Sequence, residues 1–160
     1  MTRAIPPAST DKPAELSLGP LGAVVGYHIA QAAVTTVEAF DRHIGKPFGL
    51  RKEDYSLLML LHANGALAPK RLATTLTLTA PALTLMLDRL QERGVLRRER
   101  NPADGRSQHI VLTDKGQRLA RDTAAAAAPM ERELQQRLTR AEHAMLIELL
   151  CRLSGRRPPG

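Results

Sequence analysis

Apolar residues recur along this chain mainly at three- and four-residue spacing, the period of a helix with one buried face. Leu21, Val24, Val25, His28 and Ala32 keep that spacing in a helix predicted over residues 20–44, with Gly45 and Pro47 as its stop. A second helix is predicted over 52–63, where Leu57, Leu58, Leu60 and Leu61 form a broad apolar face that Asn64-Gly65 terminates. A short helix over 69–76 and a turn over 75–78 lead into another helix over 80–93. Thr79 is its N-cap, offering a hydroxyl to an unsatisfied first-turn N–H. Pro81 sits where a missing N–H costs little, and Gly94 closes the helix.

The period then changes. LRRER at 96–100 and QHIVL at 108–112 read as short strands, and Asp104-Gly105 between them is a hairpin signal. Thr113-Asp114 opens a long helix with an acid opposing the helix dipole. Its AAAAA run at 124–128 favours helix but fills little core, and Pro129 is expected to kink or break it. Thr139-Arg140-Ala141-Glu142 is a capping box, followed by the stripe Leu146, Leu149, Leu150 and Leu153. Residues 1–19 have no apolar period and read as a flexible arm, and 156–160 as a disordered tail. The order predicts a mainly α fold with a small β-hairpin wing. In such helix-turn-helix units the second helix of the pair enters the DNA major groove.

Composition narrows this picture. A length of 160 residues suits one domain, and 2% aromatics leave Leu, Ala, Val and Ile to build the core. No apolar run nears the roughly 18 residues of a membrane span, and the N-terminus lacks the apolar stretch of a secretory signal. A soluble, cytoplasmic protein without membrane contact is expected. The single cysteine, Cys151, excludes an intramolecular disulfide and a cysteine-rich zinc site. A small apolar helix residue is its plainer reading, and a redox-sensing thiol the sharper one. The five histidines are scattered, and neither a Ser-His-Asp set nor a Gly-rich phosphate loop occurs, so no enzyme, metal or cofactor is expected. The net charge of +7 suits a polyanion. It is concentrated: residues 88–121 hold nine basic against five acidic side chains, and they enclose the hairpin.

The segment LDRLQERGVLRR at 87–98, the NPADGR stretch at 101–106, and the spacing from Asp104 and Arg106 to Leu112-Thr113 resemble the MarR family of transcriptional regulators. The resemblance spans about 20–153 in element order, with motif detail over 87–116. It implies one MarR-like domain over 20–155, with a winged helix-turn-helix at 51–113 and dimerisation helices at 20–45 and 114–155. It further implies a homodimer that binds palindromic operator DNA as a ligand-responsive regulator, a repressor in the first instance. The apolar stripes of the first and last helices agree, since they lie outside the tri-helical unit and need burial. The DNA-contact candidates are Lys70, Arg71, Thr79, Pro81, Thr84, Leu85, Arg98, Arg100 and Arg106. Strand alternation puts Arg98 and Arg100 on one face and Arg97 on the other. Arg106 is the candidate for a narrow minor groove, with a salt bridge to Asp104 as the alternative. Gly105 replaces the basic residue common in family wings, and the reading helix offers little polar chemistry, so thymine methyl contact gains weight. For a small-molecule effector the candidates are His28, Arg51, Tyr55 and His62. Either the histidines are hydrogen-bonded core or interface residues, or Arg51 or His28 pairs with an aromatic carboxylate. A redox regulator acting through Cys151, and a winged-helix module for protein or RNA contact, stand as alternatives.

Overall fold

In the computed structural model of this chain, residues 16–101 and 104–156 are described, for 101 and 104–107 the backbone only. Most of the expected arm, residues 1–15, and the end of the tail, 157–160, lie outside the described residues. The chain divides into two units, one ending at Val34 and one beginning at Thr35.

The described part of the first unit holds a 3₁₀ turn, Gly19–Ala23, and the start of helix α1 (Val25–Phe40). The helix predicted from residue 20 is therefore in two pieces. Val24 between them is extended. Gly19, Gly22 and Gly26 crowd this stretch, and each costs up to about 1 kcal/mol in a helix relative to alanine. Leu21, Val24, Val25 and Ile29 are exposed.

The second unit takes over within α1 and continues through a π-helical turn, Asp41–Gly45, into the single turn α2 (Lys46–Phe48). Gly45 was the expected stop, yet it is buried inside the π turn, where an added Cβ would stand 2.7 Å from the Asp41 carboxylate. Pro47 falls in the first turn of α2, where its missing N–H is harmless, and Gly49, left-handed at φ 60°, ends the run instead. There follow α3 (Lys52–Asn64), α4 (Pro69–Leu76), α5 (Ala80–Glu92), strands β1 (Leu96–Asn101) and β2 (Asp104–Leu112), α6 (Asp114–Gln135) and α7 (Arg140–Leu153).

The core forms where these elements meet. Leu57, Leu58 and Leu61 of α3, Leu72 of α4, and Leu83, Met86, Leu87 and Leu90 of α5 are buried together with Val95 just before β1, Leu96 and Ile110 of the hairpin, and Ala120 and Met130 of α6. The strands pair antiparallel from Leu96↔Leu112 to Arg100↔Gln108, then shift to Asn101↔Asp104. Only positions 102 and 103 separate the strands, so Asp104-Gly105 belongs to β2 and is not the hairpin tip. Leu67, between α3 and α4, exchanges backbone bonds of 3.1 and 2.8 Å with Ile110 and stitches the wing to the helices. At the other end of the wing a Cβ on Gly116 would stand 1.9 Å from the Val95 carbonyl, so only glycine lets α6 start so close.

Helix α6 runs through Pro129 without a break. The proline forfeits one hydrogen bond, but the alanine run before it is the best helix former, and buried Thr123 and Met130 anchor both sides. The capping box of α7 forms as expected: the Thr139 hydroxyl accepts the Glu142 N–H, and Glu142 accepts the Thr139 N–H at 2.7 Å. Leu146, Leu149, Leu150 and Leu153 all remain exposed. Among the described residues no helix is long and apolar enough to cross a membrane.

Candidate nucleic-acid interface

Two helices and a turn build the surface. The turn between α4 and α5 passes through Thr77, the one non-glycine residue with positive φ (56°) among those described. Thr79 then accepts the Ala82 N–H and starts α5. From there the period of 3.6 divides the helix cleanly. Leu83, Met86, Leu87 and Leu90 point into the core, while Ala80, Pro81, Ala82, Thr84 and Leu85 are exposed. Leu85 is 69% exposed, an uncovered apolar side chain at the front of a helix whose other leucines are buried. The Thr84 hydroxyl donates to the Ala80 carbonyl at 3.0 Å and keeps its oxygen as an outward acceptor.

The cations around this helix differ in their freedom. Lys70 and Arg71, in the first turn of α4, are exposed and carry no ion pair among the described residues. The same holds for Arg100 on β1. Arg98 is committed: its guanidinium donates to Asp88 at 2.6 Å and to Gln91 at 2.8 Å, both on α5. Arg97, on the opposite strand face, pairs with Glu99. The backbone of Arg106 lies in β2, but its side chain falls outside the described residues. One turn after Leu85 on α5, Arg89 pairs with Asp54 of α3, an acid only 1% exposed whose other oxygen accepts the Arg51 N–H at 3.2 Å.

Three of the four effector candidates belong to the second unit, and they do not share one cleft. Within the second unit, Tyr55 lines an open cleft of about 650 Å³ with Lys52, Glu53, Met59, Leu76 and Arg156, Glu53 being shared with the cleft beside it. Arg51 instead lines a smaller cleft of about 350 Å³ with Glu53, Leu78, Leu85 and Arg89. The His62 ring bonds Gln117 at 3.1 Å and lines neither cleft. His28 belongs to the first unit, where it is exposed and bonded to the Gly22 carbonyl at 2.9 Å. Burial, and secondarily the charge of Glu131, push the Tyr55 phenol above its usual range, so it stays a donor at neutral pH. Lys52 and Arg156 are additions. Lys52 was within reach of sequence reading, being three residues before Tyr55 on one helix face. Arg156 carried no such signal, because it bonds Thr75 and Thr77 from some eighty positions away. Cys151 is half-buried on α7.

The family model described as MarR family matches residues 50–108, which run from the front of α3 into β2. A putative transcriptional regulatory protein for the hcr operon of Thauera aromatica is 26% identical over 147 residues, 92% of this chain and 88% of that protein. The HTH-type transcriptional regulator PecS of Dickeya dadantii is 31% identical over 119 residues, covering 71% of this chain and 72% of PecS. Among solved structures, the transcriptional repressor CouR bound to a 23-mer DNA duplex superposes with a TM-score of 0.79 at 34% identity, covering 88% of this chain and 99% of CouR. CouR bound to p-coumaroyl-CoA gives a TM-score of 0.77 at 30% identity, over 88% of this chain and 98% of CouR.

Proposed function

Because this chain belongs to the MarR family of DNA-binding transcriptional regulators, we propose that it acts in the cytoplasm as a homodimeric, ligand-responsive repressor of palindromic operators. The observation that carries this reading is the exposed front of α5, with Thr84 and Leu85 outward and free cations at Lys70, Arg71 and Arg100. In a major groove Leu85 meets thymine methyls, Thr84 meets a base edge, and Thr79 and Pro81 line the entry. The three cations take phosphates, which position the protein but carry no sequence information. Arg98 acts as a brace between wing and helix, given its two bonds to α5. Arg106 enters the neighbouring minor groove. A two-fold dimer places two copies of α5 in successive major grooves, and the operator is palindromic for that reason.

The effector reading rests on the larger cleft. Lys52 and Arg156 suit an anion, the protonated Tyr55 phenol suits a carbonyl or carboxylate oxygen, and Met59 and Leu76 suit an aromatic ring. The likeness to CouR makes phenolic acids and their coenzyme A thioesters the compounds to try. An effector releases DNA only by favouring the conformation that binds DNA less well.

Selection of duplexes from a random pool, followed by footprinting, tests the whole reading. A protected two-fold sequence is expected. Uniform, salt-sensitive coating without sequence preference would refute it. With that operator in hand, Arg106→Ala is expected to cost about 1–3 kcal/mol of binding at fixed salt.

A further inference from the structure

Asp88 and Arg89 are neighbours on α5, yet each is tied to a different part of the fold. Asp88 meets Arg98 of β1 at 2.6 Å, and Arg89 meets Asp54 of α3. Consecutive helix residues point about 100° apart, so one tie pulls towards the wing and the other towards α3. The leucines beneath α5 supply burial, which is non-directional and permits a helix to roll. Two charge-assisted hydrogen bonds on different sides do not permit it.

The two ties are unequal. Asp88 and Arg98 are both part-exposed, and water and salt weaken such a pair. Asp54 is buried and has both oxygens engaged, one by Arg89 and one by the backbone that opens α3. A carboxylate in that position must keep its partners. Arg89 also stands four residues after Leu85, so tether and reading side chain share one face of α5, and both line the smaller cleft.

We propose that Arg89 is a positioning residue that determines operator specificity: through Asp54 it fixes the rotational setting at which Thr84 and Leu85 meet base edges, without touching DNA itself. This rests on α5 being the DNA-reading helix, as proposed above. A roll of roughly 20° carries a side-chain tip some 5 Å from the helix axis by about 2 Å. That displacement breaks a base contact, whereas the long side chains of Lys70 and Arg71 follow their phosphates. Disturbing the tether therefore removes discrimination before it removes affinity.

Arg89→Lys keeps the charge and loses the planar fork. The full-length variant is titrated with a duplex that the wild type recovers from a random pool, and with a scrambled duplex of the same composition. The ratio of the two affinities is expected to fall about tenfold, the scale of one lost base contact. Affinity for the scrambled duplex, and its salt slope, should not change. An unchanged ratio with a lower melting temperature overturns the proposal and leaves Arg89 a structural brace. Weaker binding to both duplexes with a shallower salt slope also overturns it, because Arg89 would then be a phosphate contact. Should Arg89→Lys not fold, Asp54→Asn asks the same question. Asparagine keeps an acceptor for the Arg51 N–H and releases Arg89, which is already one-third exposed, to water. The same loss of ratio is expected, and full discrimination by that variant overturns the proposal. A wild type that selects no sequence overturns the DNA-reading assignment and this inference together. That outcome is distinct from a selective wild type with an equally selective variant.

Discussion

Thr77 holds the turn of the helix-turn-helix in a left-handed conformation, at φ 56°. A β-branched side chain there is strained, since its branches crowd the following carbonyl. Strain of this kind costs about 1–3 kcal/mol, and glycine would relieve it while adding up to about 1 kcal/mol of backbone entropy to the unfolded chain. The net expectation for Thr77→Gly is a gain of about 1 kcal/mol, seen as a melting temperature higher by about 3 °C. An unchanged or lower melting temperature would mean that the bond between Arg156 and the Thr77 hydroxyl outweighs the strain. Nothing in the sequence marked Thr77, because a left-handed turn is ordinarily announced by glycine or asparagine. Thr79 was legible as a cap two positions later, since capping is a local matter between one side chain and the next turn.

Between elements, the π turn is fastened to the C-terminal end of α6. Arg42 and His43 both reach Glu133, each at 2.8 Å. The hydrogen bond from His43, followed by the charges of Arg42 and His43, holds the Glu133 carboxyl below its ordinary value of 4.5 despite some desolvation. A carboxyl lowered by folding contributes stability at pH above its unfolded value, and that contribution is lost as pH falls through the folded one. Wild type should therefore melt higher than Glu133→Gln at neutral pH, and the gap should close as pH drops through and below about 4.5. A gap that persists well below that range would assign the difference to packing and not to charge. This fastening was not legible in the sequence, as its partners are ninety positions apart. The π turn that presents them replaced an expected helix stop at Gly45. By contrast, the boundaries of α3, α4 and α5 and the existence of the wing followed from periodicity and turn residues close at hand.

At the scale of the whole molecule, the outstanding feature is the apolar surface that remains outside the core. Met145, Leu146, Leu149, Leu150 and Leu153 are all exposed on α7. A patch of that kind on one helix is the signature of an interface, and a two-fold dimer is its simplest use. Leu150→Glu should shift the sedimenting species from twice the 17.5 kDa chain mass to one chain at micromolar concentration, with helix content unchanged. Persistence of the dimer would place the interface elsewhere. Because the side chain is already exposed in the single chain, the substitution tests association and not folding.

The sequence by itself determined the helical period, the caps, the wing and the family, because each depends on residues within a few positions of one another. It also determined the basic bias of the wing region, which is a matter of composition. Only the tertiary structure decided how the cations are employed. Arg98 and Arg89 look as available as Lys70 in the sequence, yet one braces the wing and the other satisfies a buried aspartate. It likewise separated Arg51 from Tyr55, although they stand four residues apart, and brought Arg156 to Thr75. The physical reason is common to all these cases. A charge is satisfied by whatever lies within about 3 Å of it, and that is set by packing, not by order along the chain.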